Sequence, residues 1–193
     1  MVGTDPLEVD QLLTGGELRC PDCTGELRPW GHARERGVRN EASVAAVRPR
    51  RSSCSQCRCT HVLLPVSALA RRADAVAVIG RALLAKAGGA GHRRVAALLD
   101  RPVSTVRGWL RRFGARAESL RVLFTALLHA LDASAAAAGV TGSLFTDALE
   151  ALGFAAAAAA RLFGPRPAWQ FASAAGSGRL LGPGPGARAA NTS

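Results

Sequence analysis

Four of the chain's five cysteines fall into two C-x2-C pairs, "CPDC" at 20–23 and "CSQC" at 54–57, with thirty residues between them. Two such knuckles, joined by a hairpin-bearing loop, can bring four thiolates into a tetrahedron. Sulfur–metal bonds of about 2.3 Å in that arrangement are the geometry of a structural Zn2+ site. The loop is longer than a minimal ribbon needs and has room for two or three strands. A unit of about 45 residues also buries too little apolar surface to fold unaided, and metal binding would supply the missing free energy. Cys20, Cys23, Cys54 and Cys57 are therefore the expected ligands. Unrelated reduced thiols, or a redox pair, are the other readings of the same residues.

The fifth thiol, Cys59, stands two positions past Cys57, where "CTHVLL" reads as the start of a strand. Side chains two apart on a strand share a face, so Cys59 points the same way as Cys57. It reads as a small buried neighbour or a spare thiol rather than a ligand. His32 and His61 could replace a missing ligand, but none is missing, so both read as strand or surface histidines. A set made only of thiolates leaves no open position for activated water, so the expected metal is structural.

The second feature is charge. The chain has 25 basic and 14 acidic residues, net +11, and Lys86 is its only lysine. The excess is concentrated: residues 61–114 hold 10 basic and 2 acidic residues, whereas 1–60 are nearly balanced. A solvated surface does not need that concentration, and a polyanionic partner explains it. Within this segment lies "RRVAALLDRPVSTVRGWLRRF", 93–113. Ala96, a turn at Asp100, then Val106 and Trp109 resemble the spacing of a helix-turn-helix motif. Asp100 stands where Gly is usual, and Arg101 where an apolar residue is more common. Val106, Trp109, Leu110 and Phe113 follow the i, i+3, i+4, i+7 rhythm and should pack inward. Ser104, Arg107, Gly108 and Arg111 share the opposite face. Arg107 and Arg111 are like charges at i, i+4, which cost a few tenths of a kcal/mol. Gly108 in mid-helix costs about 1 kcal/mol against Ala. A helix lying on phosphates and base edges recovers both costs. Ser104, Thr105, Arg107, Gly108 and Arg111 are the expected reading residues, with Arg93, Arg94, Arg101 and Arg112 clamping the DNA backbone. The other reading is an ordinary helical pair with a solvated arginine face, in which Gly108 only eases packing against the preceding helix. His92 reads as a helix-start residue, and Trp30, Trp109 and Trp169 as core anchors.

These features have to be positioned by the rest of the chain. The expected fold class is α+β, mainly α: a small zinc ribbon of short β-hairpins, then a helix-turn-helix domain, then two further helices. Residues 1–18 read as a flexible leader with about one helical turn at "DPLEVDQLL". Residues 19–65 read as the ribbon, with strands at "GELRPWGHARER", "SVAAVRPRRSS" and "THVLLP". Residues 66–114 form the helix-turn-helix domain, opened by "ADAVAVIGRALLAKA" and punctuated by Gly88, Gly89 and Gly114. Residues 115–164 read as an Ala/Leu-rich helical hairpin, with one helix over 116–138 and another from Ser143 to Phe163. Residues 165–193, ending "GPGPGARAANTS", read as a largely disordered tail. No run of about 20 apolar residues is present, so a membrane span is not expected. The first nineteen residues carry Asp5, Glu8, Asp10 and Glu17, so no secretory signal is expected either. The expected location is cytoplasmic and nucleoid-associated.

The stretches "CPDCTGELRPWGHARER", "RPRRSSCSQCRCTHVLLP" and "RRADAVAVIGRALLAKAGGAGHRRVAALLDRPVSTVRGWLRRFGARAE" together resemble a family of uncharacterised actinobacterial proteins, a domain of unknown function. The resemblance covers roughly residues 19–118, with a weaker echo in "WQFASAAGSGRLL". Its members carry a zinc-ribbon-like segment followed by a helix-turn-helix. The layout is also similar to the front, DNA-binding part of insertion-sequence transposases. That implies recognition of DNA ends or a transcriptional role. Family members commonly have Gly directly after the second knuckle cysteine, where this chain has Arg58.

The expected function is therefore zinc-stabilised, sequence-specific binding of double-stranded DNA, without enzymatic activity, in transposition or transcriptional control. One alternative is an adaptor for protein or RNA with a vestigial helix-turn-helix. The remaining alternative is a transposase, complete or truncated. Such an enzyme needs about three carboxylates to hold two metal ions. The acids after the third helix are only Glu118, Asp132, Asp147 and Glu150, all on Ala/Leu-rich helices. The stripe Leu120–Leu131 either folds back on residues 143–163 or pairs with a second copy, so a homodimer through 116–138 is kept as an expectation.

Overall fold

The computed structural model describes residues 1–136, 139 and 141–182. The chain opens with α1 (Pro6–Thr14), which starts where the Asp5 carboxylate accepts from the Leu7 N–H at 2.9 Å and Pro6 presets the first turn. It is not a flexible leader. Val9 and Leu13 are buried beside Leu27, Leu63, Cys20 and Cys54. Val2 exchanges backbone hydrogen bonds with Leu64 and Val66, both 3.0 Å. Salt bridging of Arg50 to Asp10 at 2.7 Å closes the same corner. The sequence signal was present in "DPLEVDQLL", but the apolar partners of that helix lie on strands far along the chain.

The ribbon itself is an antiparallel sheet of β1 (Leu27–His32), β4 (Arg50–Cys54) and β5 (Thr60–Leu63), in the order β1-β4-β5. Register pairs Leu27 with Cys54 and Arg50 with Leu63. A bulge between Pro29 and His32 takes Gly31 at φ 86°, a conformation glycine adopts without strain. Within the bulge Trp30 is 59% exposed. That corrects its expected place in a core: the bulge takes the residue out of the regular ladder and leaves its ring facing water.

Between β1 and β4 the chain makes a second sheet, β2 (Arg36–Arg39) with β3 (Val44–Val47), closed at Asn40–Ser43. This hairpin lies inside the segment expected to be ribbon, yet it packs on the helices: Val38 is buried in the helical core and Val47 lies against it. Its anchor is electrostatic. The Asp74 carboxylate, 2% exposed, accepts from Arg39 Nη2 at 2.7 Å and Nε at 3.1 Å, and from Arg101 Nε at 2.7 Å. Arg101 also donates to the Asn40 carbonyl at 2.6 Å and to the Leu99 and Asp100 carbonyls. Two guanidiniums thus converge on one buried anion, and four of the five N–H groups of Arg101 are bonded inside the fold.

The body is helical: α2 (Val76–Ala87), α3 (His92–Leu99), α4 (Val103–Gly114), α5 (Ala117–Leu131), α6 (Leu144–Phe163) and α7 (Ala168–Ala175). The buried stripe Leu120, Phe124 and Leu128 of α5 packs against α6. The alanine run serves this pairing, since Ala155, Ala156, Ala158 and Ala159 are all buried and their small side chains let the helices approach. Of the two pairings expected for this stripe, the fold-back onto residues 143–163 is the one present within the chain. The helix expected over 116–138 ends at Leu131, and positions 137 and 138 lie outside the described residues.

Residues 168–182 are likewise no disordered tail. Trp169 of α7 lies over Gly80 of α2, so closely that a Cβ at Gly80 would sit 2.1 Å from the indole ring. Leu180 and Leu181 are buried, and Arg72 donates to the Leu181 carbonyl at 3.3 Å. The remainder of the expected tail, 183–193, lies outside the described residues.

Two outcomes test this fold. Asp74→Ala strands the Arg101 guanidinium and is expected to lower unfolding free energy by about 3 kcal/mol in urea titration. A loss below about 0.5 kcal/mol would remove the triad from its structural role. Gly80→Ala is expected to cost about 1–3 kcal/mol by overpacking, together with a red shift of tryptophan emission as Trp169 leaves its seat.

Candidate functional site

The two knuckles are built alike. The N–H of Cys20 donates to the Gly25 carbonyl at 2.7 Å, and the N–H of Cys54 donates to the Cys59 carbonyl at 2.9 Å. The residue after each second cysteine takes the left-handed conformation, Thr24 at φ 62° and Arg58 at φ 63°. Arg58 therefore occupies the very backbone state for which glycine is preferred, and the knuckle keeps its shape without it. Gly25 is the position that tolerates no side chain: a Cβ there would lie 2.9 Å from Cys54 Sγ and 3.0 Å from Gln56. The first knuckle can press against the second because this residue is glycine.

The thiols meet across that contact. Cys20 Sγ is 3.7 Å from Cys57 Sγ, and Cys23 Sγ is 3.4 Å from Cys54 Sγ. All four sulfurs lie within 4.8 Å of one another. A tetrahedron with bonds of about 2.3 Å has sulfur–sulfur edges of about 3.8 Å, so the donor set fits a metal ion of zinc's size and softness. Burial opposes charge on Cys54, yet the N–H groups of Cys57 and Gln56 and the neighbouring thiols hold it down to about 6. For Cys57 the Cys59 N–H and the Cys23 thiol favour the anion. Desolvation and the Cys54 and Cys59 sulfurs outweigh them and push it up to about 11. Burial raises Cys20 as well. One anion is tolerated and the other thiols keep their protons.

Cys59 is exposed, a spare thiol but not a buried one. His61 is nearer the centre than the sequence implied: it is half-buried on β5, with Nε2 3.4 Å from Cys20 Sγ. The strand alternation that placed Cys59 would also have placed His61 on the inward face of β5, beside Leu63. His32 instead contacts Arg50 at 3.3 Å.

The basic segment forms a helix pair. Asp100 ends α3 at φ 48°, ψ 57°, and the Arg101 N–H returns to the Ala96 carbonyl at 3.0 Å. Ala96, Val106, Trp109, Leu110 and Phe113 are all buried, as their spacing requires. Ser104, Arg107, Arg111 and Arg112 are exposed on α4, Thr105 and Gly108 half-buried, and Arg93 and Arg94 exposed on α3. Among the described residues none of these five arginines has a carboxylate within salt-bridge distance. A Cβ at Gly108 would meet only the flexible end of Arg112, at 2.8 Å, so no neighbouring helix requires the glycine. Arg101 is the exception in the expected set. Its side chain is 10% exposed, and four of its five N–H groups are engaged by Asp74 and three carbonyls, so it braces the turn. The apolar residue usual at that position is replaced by an ion pair whose carboxylate comes from a segment the local motif does not contain.

The later acids are locally engaged. Glu118 pairs with Arg121 at 2.7 Å, Asp132 with Arg161 at 3.1 Å, and Asp147 accepts from the Thr141 hydroxyl at 2.6 Å and N–H at 2.8 Å. The hydrogen bonds from Arg121, Ser134 and Thr141 respectively draw all three carboxyls below their ordinary values. No helix among the described residues is long and apolar enough to cross a membrane. No family model, curated protein or solved structure matches this chain.

Metal uptake is directly measurable. Co2+ is expected to bind at one ion per chain with the absorption of a tetrahedral thiolate centre, releasing about three protons per ion at pH 7, because only one of the four thiols is ionised beforehand. Cys54→Ser should abolish that spectrum and Cys59→Ser should leave it intact. An unchanged spectrum in Cys54→Ser would refute the ligand set.

Proposed function

We propose that this chain is a zinc-stabilised, sequence-specific binder of double-stranded DNA that lays α4 in the major groove. One observation carries the reading: the outer face of α4 and the adjoining end of α3 present arginines with no carboxylate partner, on a helix whose other face is anchored by Trp109 and Phe113. Unpaired guanidiniums on a rigid rod suit phosphates and guanine edges. The half-buried Gly108 gives the backbone of the rod room to approach a groove wall.

The roles divide by position. Ser104, Thr105 and Gly108 lie on the surface that would face base edges, with Arg107 and Arg111 beside them. Arg93, Arg94 and Arg112 border that surface and would hold the sugar-phosphate strands, which position a reader without specifying sequence. Cys20, Cys23, Cys54 and Cys57 would hold Zn2+, whose contribution is to fold the ribbon. The resemblance to the actinobacterial family and to the front part of transposases supports a task in transposition or transcriptional control.

Selection from random duplexes with the zinc-loaded protein is expected to return a defined consensus. Affinity should fall steeply with salt, with a log–log slope of about −4.5 for about five phosphate contacts. Arg107→Ala with Arg111→Ala should lower affinity at least tenfold, as expected when contacts of roughly 1–3 kcal/mol each are removed, with zinc content unchanged. Affinity that stays flat between 50 and 200 mM salt would sink the reading.

A further inference from the structure

A cleft of about 320 Å³ opens beside α4, lined by Lys86, His92, Arg107 and Arg111 over a floor of Leu110 and Phe145. Its walls come from α2, α3, α4 and α6, so it exists only in the assembled body. Phe145 is fixed there by an edge-to-face contact with Phe113, ring centroids 4.8 Å apart. No carboxylate lines the cleft. Among the described residues Lys86, Arg107 and Arg111 have neither a salt bridge nor a side-chain hydrogen bond to another group. Three cations and an imidazole thus converge on one hollow without an anion to balance them. The only lysine of the chain is one of them, from a helix outside the helix-turn-helix pair.

We infer that this cleft is a phosphate seat. Arg107 and Arg111, one turn apart, repel each other when free, and an oxyanion between them turns that cost into two charge-assisted pairs. Lys86 adds a point charge from the facing wall, and the apolar floor lowers the local dielectric and strengthens each attraction. The volume equals about ten waters, which leaves room for a phosphate and part of its hydration shell. The phosphate has two sources, a DNA strand or a free phosphoryl compound, and the chemistry of the seat serves both. The DNA source rests on the proposed function; the seat does not. With DNA bound, Arg107 and Arg111 turn toward the backbone, and sequence reading falls to Ser104, Thr105 and Gly108.

The test uses the zinc-loaded full chain. Inorganic phosphate is titrated into isotope-labelled protein, and amide and arginine Nε–H resonances are followed. Saturable shifts are expected at Lys86, Gly91, His92, Arg107 and Arg111. Lys86→Ala, an exposed substitution whose fold is checked by circular dichroism, should weaken them several-fold, and Arg34→Ala, at an exposed arginine far from the cleft in sequence and outside the DNA-binding set, should leave them unchanged. Shifts spread evenly over all arginines without saturation, or undiminished in Lys86→Ala, would overturn the seat. In a duplex-binding arm, Lys86→Ala is expected to weaken consensus and random DNA equally and to flatten the salt slope by about 0.9; that result names the DNA strand as the source. Saturable phosphate binding with an unaltered salt slope supports the seat and names a free phosphoryl compound instead. Saturable phosphate binding in a protein that takes up no duplex at any salt supports the seat and overturns the proposed function alone.

Discussion

One buried carboxylate organises the molecule. Asp74 accepts from Arg39 on the β2–β3 hairpin and from Arg101 in the turn between α3 and α4. Three segments far apart in sequence are therefore fixed to one point. A carboxylate so deeply buried would lose several kcal/mol of hydration if left alone, and two guanidiniums with additional carbonyl partners offset that loss. The arrangement also explains why the α3–α4 turn tolerates Asp100 and Arg101. The left-handed backbone at Asp100 costs little for this residue type, and the charge at Arg101 is neutralised from outside the motif.

The ribbon is held differently. Its core is small: Val2, Val9, Leu13, Leu27 and Leu63, together with two of the cysteines themselves. So few apolar side chains cannot offset the conformational entropy of a short helix and three short strands. The thiol cluster stands at the centre of that core, and its sulfurs are both packing atoms and a donor set for metal. The helical body has no such need, with Phe113, Phe124, Leu120, Leu83 and Ile79 fully enclosed.

Sequence periodicity reads these two halves unequally. Both knuckles, the faces of α4 and the extents of α2 and α6 follow from local spacing, because spacing alone decides which thiols converge and which side of a helix is apolar. Arg101 reads in sequence as one more clamp, whereas in the fold Asp74 engages it, because an exposed and a buried arginine look alike until the carboxylate that meets it is known. Asp74, the one acid available, sits at a segment boundary where no local pattern marks it. Trp30 and Trp169 differ for a related reason: Gly80 makes a seat for one, and nothing makes a seat for the other. The C-terminal stretch reads as a tail because it closes on "GPGPGARAANTS", although Leu180 and Leu181 ahead of that run reach the core. Lys86 and His92 are unremarkable in sequence, and only the packing of α2 and α3 against α4 brings them to the same cleft.

The path of the chain between the two knuckles has a mechanical consequence. It leaves the ribbon after β1, is pinned to the helical body at Arg39, and returns as β4. Dividing this seventeen-residue excursion, 33–49, roughly in half changes its closure entropy by only about 0.6 kcal/mol, so the pin does little to tighten the grip on a metal. What it changes is stiffness. Two strands of backbone besides the 65–66 connection join ribbon and body, and a torque applied to either is carried to the other instead of being absorbed at a single swivel.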